Sequence, residues 1–339
     1  MNTLSDYEQD ILQQPEALSN QLHYLLPEAL FELDIQHYDR IVLAGMGSSD
    51  YALIPVEREL IARGLPVWRV DAGRLLDMPQ LITQNTLLWM TSQSGMSAEV
   101  VKLLDCICTP RTLISVTNDV TSTLAQRADI LVELRSGEEA TVSAKSYLNT
   151  LVASYRILAA LTNEPEKTLL DRLDALLTDV TSLVKPAQAV RSLADHFFSH
   201  CQPRLAMIGI GADAATAMTG ALITKESSKV SAEGFIGGEF RHGPMETSGD
   251  QMTALLFGNG TEPTLITLAN DLQRNGTRVI TVGPLAYGES ELLVTPGEHE
   301  LERLICAMLY VQQLTVALAH GNGMVPGEFL YGKKITVTL

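Results

Sequence analysis

Basic residues, aromatics, cysteine pairs and long apolar runs are all scarce in this chain, and each scarcity removes a class of function. Its 24 Lys and Arg stand against 40 Asp and Glu, a formal net charge of −16. That balance excludes an extended nucleic-acid or anionic-membrane surface, which needs a local excess of cations. It leaves room for a small anion, because backbone N–H groups and helix N-termini hold phosphate without a basic protein around them. Cys106, Cys108, Cys201 and Cys306 form no CxxC pair and have no histidine at zinc-site spacing, so they read as reduced thiols of a cytoplasmic protein. The opening MNTLSDYEQD lacks the charged-then-apolar pattern of a signal peptide, and no uninterrupted apolar run reaches membrane-spanning length. A soluble, intracellular protein without membrane contact is the expectation. Two Gly-x-Gly turns, Gly45-Met46-Gly47 and Gly209-Ile210-Gly211, lack the third glycine of a dinucleotide fingerprint, since Asp50 and Ala214 hold that place. No Walker lysine or EF-hand spacing appears, so neither a metal nor an organic cofactor is expected.

What is present is an aliphatic, glycine-containing chain organised as a repeat. With 46% hydrophobic but 5% aromatic residues, 339 residues suit two domains of parallel α/β layers. RIVLAGMGSSDYALIPVEREL from Arg40 reads as a buried strand, a Gly-Ser turn and a helix, and RLAMIGIGADAATAMTGALIT from Arg204 repeats it. The correspondence continues: Leu87–Thr91 answers Thr253–Phe257, Thr112–Val116 answers Arg278–Val282, and Ile130–Leu134 answers Glu291–Val294. Each half closes with a long helix, near 143–162 and 299–319. Alternating strands and helices predict parallel sheets with right-handed crossovers, and ligands at the carboxyl ends of the strands. The expected division is a helical arm over 1–34, a first domain with a helical linker over 35–185, a second over 190–325, and a tail over 326–339.

Two stretches carry candidate chemistry. TSQSGMSAEVVKLL (Thr91–Leu104) places Ser92, Ser94, Gly95 and Ser97 between a strand and a helix. Hydroxyls and free N–H groups at a helix N-terminus cradle phosphate, and simple capping accounts for one serine rather than three. The equivalent FGNGTEPT (Phe257–Thr264) has no serine cluster, so only the first half looks equipped for phosphate. The second stretch, TKESSKVSAEGFIGGEFRHGPM (Thr224–Met245), sets Glu226 and His242 on either side of a run read as a glycine-rich turn through Gly234, Gly237 and Gly238. Met218, Leu222, Glu226 and Val230 fall on one helical stripe, expected to be the buried one. A carboxylate there is either half of an ion pair or a general base with a raised pKa.

Taken with GSS at 47–49, SQSGMS at 92–97, VSAKSY at 142–147, KES at 225–227, GGEFRHGP at 237–244 and KKITV at 333–337, these residues resemble the tandem sugar-isomerase (SIS) family. The resemblance spans about residues 35–339. It is to the isomerase half of glucosamine-6-phosphate synthase and to phospho-aminosugar deaminases and fructosamine-6-phosphate deglycases. It implies two flavodoxin-like domains, each a parallel sheet sandwiched by helices. It also implies that Gly47, Ser48, Ser49, Ser92, Gln93, Ser94 and Ser97 bind the sugar phosphate, with Thr141 and Ser143 lining the sugar. Glu226 would move a proton between C1 and C2, His242 would open the ring from the neighbouring subunit of a homodimer, and Lys333 would contact the carbonyl carbon or its imine. Ile223 stands where the synthase has a second active-site lysine, and Met96 replaces the usual acidic or polar residue. The glutaminase half with its nucleophilic cysteine is not expected here. These departures favour a deglycase or deaminase, with an aldose–ketose isomerase or a non-catalytic phosphosugar sensor as alternatives. A purely structural scaffold would not need the serine cluster.

Overall fold

The computed structural model describes residues 4–336, so Val337 of the KKITV motif and the first three residues of the arm lie outside the described residues. Among the described residues, ten strands form two sheets. The first contains β1 (Arg40–Ala44), β2 (Val67–Arg69), β3 (Thr86–Thr91), β4 (Thr112–Thr117) and β5 (Ile130–Glu133) in the order β2-β1-β3-β4-β5. The second contains β6 (Arg204–Gly209), β7 (Ala232–Ile236), β8 (Met252–Phe257), β9 (Arg278–Gly283) and β10 (Glu291–Val294) in the order β10-β9-β8-β6-β7. Read from the matching edge, the two orders are identical, and every pairing is parallel. This is the flavodoxin-like arrangement, built twice.

Alternation within fully buried strands explains why each sheet takes helices on both faces. In the first sheet Ile41, Leu43, Leu87 and Trp89 join one core cluster while Val42, Ala44, Leu88 and Met90 join the other. Successive side chains point to opposite faces, so an all-apolar strand must be covered twice. The repeat extends to backbone detail. Gly47 and Gly211 both have positive φ (53° and 65°). A Cβ on Gly45 would lie 2.9 Å from the Ser49 carbonyl carbon, and one on Gly209 would lie 2.3 Å from the Asp213 carbonyl oxygen. Both strand ends are therefore glycine because the returning turn touches the strand.

The edge strands β2 and β7 carry no sequence signal of their own. β2 is three partly exposed residues, and β7 has Glu233 and Gly234 in its middle. Gly234 is accordingly a strand residue rather than part of a turn. A Cβ there would meet the Met218 Cα at 3.0 Å, so glycine lets the Ala214–Ser228 helix lie directly on the strand.

That helix also departs from the expected stripe. It ends at Ser228, before Val230, and is buried on almost all sides; Met218, Leu222 and Glu226 form its half-buried stripe. An all-round apolar helix is a core helix. Its main partner is the Glu300–Gly321 helix. The latter has the length and hydropathy of a membrane span, but 72% of its apolar window is buried within the protein.

The chain divides into two compact units. One holds the first sheet (residues 16–139 and 145–175) together with the tail from Tyr331. The other holds the second sheet (residues 176–330), the arm up to Pro15, and the short segment Ala140–Ala144.

Candidate functional site

In the first-sheet unit, the serine-rich turn leaves the carboxyl end of β3 and enters the Ala98–Cys106 helix. Gly95 adopts φ +60°, and a Cβ on it would sit 2.1 Å from Ser122 Oγ, so glycine is required on two counts. The turn is tied to β4: the amide of Asn118 (3.0 Å) and Thr117 Oγ1 (3.2 Å) both donate to the Gln93 carbonyl. Ser92 Oγ accepts the Gly95 amide at 3.1 Å and Ser94 Oγ accepts the Met96 amide at 3.2 Å. As acceptors these two hydroxyls serve the turn, and each keeps an O–H to donate. Ser97 differs: it occupies the N-cap position, caps nothing with its side chain, and its buried Oγ has no partner among the described residues. A buried hydroxyl without a partner at a helix N-terminus suits an anion that supplies the missing acceptor.

The neighbouring turn after β1 places Gly47, Ser48 and Ser49, all half-buried, at the start of the Ser48–Tyr51 helix. Asp50, which stands in place of a fingerprint glycine, is buried against the Arg69 guanidinium. Arg69 also holds Glu57 at 2.9 Å. Burial pushes the Asp50 carboxyl above its ordinary range, opposed by the charge and hydrogen bond of Arg69. Asp50 therefore anchors β2 to the turn. β1 and β3 are neighbours in the sheet, and the strand order reverses between them, where ligands of such sheets sit.

The tail belongs to the same unit. The Thr336 carbonyl takes the Ala98 amide at 2.9 Å, the first N–H of the helix that follows the serine turn. Lys334 Nζ lies 2.9 Å from the buried Glu139 carboxylate, which also accepts the Ser146 amide (2.9 Å) and hydroxyl (2.6 Å). Lys333, the predicted chemical lysine, is exposed. Sequence reading named one lysine of the doublet, and the structure gives the two separate environments. The half-buried member, Lys334, could have been suspected from Glu139, a carboxylate ahead of an apolar helix that needs a cation.

In the second-sheet unit, Glu226 lies in the last turn of the Ala214–Ser228 helix. That helix returns from the carboxyl end of β6 to the beginning of β7, so Glu226 stands near the amino edge of its sheet. His242 follows the Gly237–Arg241 turn beyond the far end of β7 and is exposed. The five residues of β7 separate these two regions by roughly 15 Å of strand. One copy of the second-sheet unit therefore does not bring Glu226 and His242 together. Arg241, next to His242, is fixed by Asp271 at 2.7 Å.

Glu226 has other company. Gly327 donates its amide to the Ser227 carbonyl at 3.3 Å, and a Cβ on Gly327 would lie 2.8 Å from Thr141 Oγ1 and 2.5 Å from the Tyr7 Cβ. The segment Ala140–Ala144, with Thr141 and Ser143, thus packs beside the helix end that carries Glu226. Thr141 Oγ1 and Ser227 Oγ are buried hydroxyls without a partner among the described residues. Ile223, one turn before Glu226, is fully buried and contributes packing. The described residues contain no cluster of metal-ligating side chains.

Comparison with known proteins agrees with this architecture. The model of the SIS domain matches residues 198–283. The chain is 27% identical over 292 residues to the isomerizing glutamine–fructose-6-phosphate aminotransferase of Clostridium acetobutylicum, covering 83% of this chain and 46% of that protein. It thus spans about half the length of this curated relative. The C-terminal domain of glucosamine-fructose-6-phosphate aminotransferase from Francisella tularensis superposes with a TM-score of 0.80 at 20% identity, covering 96% of this chain and 99% of that one. Glucosamine-6-phosphate deaminase from Thermotoga maritima gives a TM-score of 0.71 at 17% identity, covering 98% and 99%. By sequence, SIS-domain homology is carried by residues 198–283, and the doubled fold of the chain is that of these two solved structures.

Proposed function

We propose that this protein is a cytoplasmic, cofactor-independent phosphosugar enzyme acting on a phosphorylated ketosamine or aminosugar, with proton transfer between C1 and C2 and release of the amine. The carrying observation is the serine turn at the carboxyl end of β3, where Ser97 Oγ is buried and unpartnered at a helix N-terminus. In this reading Ser49, Ser92, Gln93, Ser94 and Ser97 hold the phosphate, with Gly47 and Ser48 shaping the adjoining turn. Thr141 and Ser143 line the sugar, Glu226 carries the proton, and exposed Lys333 reaches the carbonyl carbon or its imine. Nucleic acid and membrane are not partners.

His242 acts as the ring-opening group of a second copy's site, which makes the working form a homodimer. Support for this comes from the interval of β7 between Glu226 and His242, since a histidine that cannot reach its own chain's glutamate is free to serve a neighbour's. A deglycase or deaminase is preferred to a plain isomerase because Ile223 removes a cation from the helix that carries Glu226.

The test is incubation of the full chain with fructosamine 6-phosphate, glucosamine 6-phosphate and fructose 6-phosphate, followed by NMR and by ammonia and amino-acid assays. Consumption of an aminated substrate with release of amine supports the reading. Interconversion of hexose phosphates alone would point to an isomerase. Binding without consumption would make the protein a sensor and overturn the enzymatic assignment.

A further inference from the structure

The end of the Ala214–Ser228 helix is closed in an unusual way. The last carbonyls of a helix have no partner within it and need donors from elsewhere. Here three in succession are taken. The Glu226 carbonyl accepts Lys229 Nζ, the Ser227 carbonyl accepts the Gly327 amide at 3.3 Å, and the Ser228 carbonyl accepts Asn322 Nδ2 at 2.9 Å. Two of the three donors come from the segment that follows the Glu300–Gly321 helix.

Lys229 itself is the C-terminal cap residue in the left-handed conformation, φ 61°, where glycine is the usual occupant. A side chain there is strained, because its Cβ crowds the following carbonyl oxygen. The lysine curls back so that its ammonium donates to the Glu226 carbonyl and also to the Glu328 carbonyl. One cation therefore joins the turn carrying Glu226 to the segment that carries Gly327. A glycine would close the helix as well but could not make this bridge. A cation at this end also meets the negative end of the helix dipole.

We propose that Lys229 is a positioning residue for Glu226, clamping the last turn of its helix to the Asn322–Leu330 segment. This rests on the reading of Glu226 as the proton carrier. Lys229 sits three residues after Glu226, so a small rotation of that turn displaces the carboxylate from the sugar carbon. A displacement of about 1 Å costs on the order of a hundredfold in rate.

Lys229→Gly is the informative variant, because glycine adopts the left-handed cap without strain and the helix end still forms. Hydrogen exchange of the 322–330 peptide should rise about tenfold or more in Lys229→Gly, with Tm nearly unchanged, and return towards the parent rate in Lys229→Arg. On whichever of the three phosphosugars is turned over, kcat should fall roughly ten- to hundredfold with KM within about twofold. Unchanged exchange at 322–330 in Lys229→Gly overturns the clamp, whatever the activity. Unchanged kcat in Lys229→Gly, alongside an inactive Glu226→Gln, overturns the positioning role. An active Glu226→Gln overturns instead the reading of Glu226, and the exchange experiment still decides the clamp.

Discussion

The turns after β3 and β8 occupy equivalent places in the repeated fold and have opposite contents. Counting from the strand ends Thr91 and Phe257, Met96 of the first turn corresponds to Glu262 of the second. Met96 is 41% exposed and its sulfur sits near the Thr123 amide. Glu262 instead folds its carboxylate into its own turn, accepting the Asn259 amide at 3.1 Å and the Tyr287 hydroxyl at 2.5 Å. The next residue is Pro263, which has no N–H to offer a ligand. The second turn thus carries an internal anion, whereas the first keeps a buried, unpartnered hydroxyl at Ser97. The two turns share a place in the repeated fold and differ in a few side chains, and in the proposed reading only the first receives an anion from outside.

If the first sheet binds and the second works on the substrate, variants should separate the two roles. Glu226→Gln should give the largest effect, a fall of about 10² to 10⁴ in kcat with phosphosugar binding retained. Isothermal titration beside steady-state kinetics checks it, and a variant near wild-type activity would remove Glu226 from the chemistry. Gly95→Ala should do the reverse. Its Cβ would lie 2.1 Å from Ser122 Oγ at positive φ, so the turn must distort and KM should rise about tenfold or more. In the second turn, Gly258→Ala places a Cβ 2.0 Å from the Tyr287 hydroxyl. It should lower stability by about 1 to 3 kcal/mol without raising KM. Equal KM effects from the two glycines would break the comparison.

A smaller loss is expected at Ser97. Its hydroxyl serves no partner in the described protein, so Ser97→Ala should leave Tm unchanged and weaken phosphosugar binding by roughly three- to tenfold, about one hydrogen bond. A fall in Tm with unchanged binding would make Ser97 an ordinary helix cap.

Much of this was legible in the chain. The repeat from Arg40 and Arg204 located eight of the ten strands: six are buried, continuous apolar runs, and the edge strands β5 and β10 are short runs recognised by their place in the repeat. β2 and β7 were not, since β2 is only three partly exposed residues and Gly234 in β7 read as a turn. The serine cluster pointed to its helix N-terminus because hydroxyls and glycine at a strand end have few other uses. The surroundings of Glu226 were misread: periodicity put it on a buried stripe, but a helix covered on nearly every side has no amphipathic signal, and its carboxylate stripe is the open one. The ion pair of Asp50 and the roles of Glu139, Lys229 and Glu262 escaped notice because their partners are distant in sequence or are backbone groups.

Glu262 gives the subtlest test of the comparison. Burial raises its carboxyl, but the hydrogen bonds from Tyr287 and the Asn259 amide outweigh this and hold it below the ordinary carboxylate range. A carboxyl with a lowered folded value stabilises the protein above its unfolded value of about 4.3, and this contribution disappears as pH falls through the folded value. Glu262→Gln should therefore lower stability at pH 7 by about 1 to 2 kcal/mol and by progressively less below pH ~4, which chemical denaturation across pH measures. Inorganic phosphate then distinguishes the two turns. Acting through the first turn alone, it should raise the Tm of the wild type and of Glu262→Gln by the same increment. An extra increment confined to Glu262→Gln would mean that the second turn accepts an external anion once its own is removed, and that one side chain closed it.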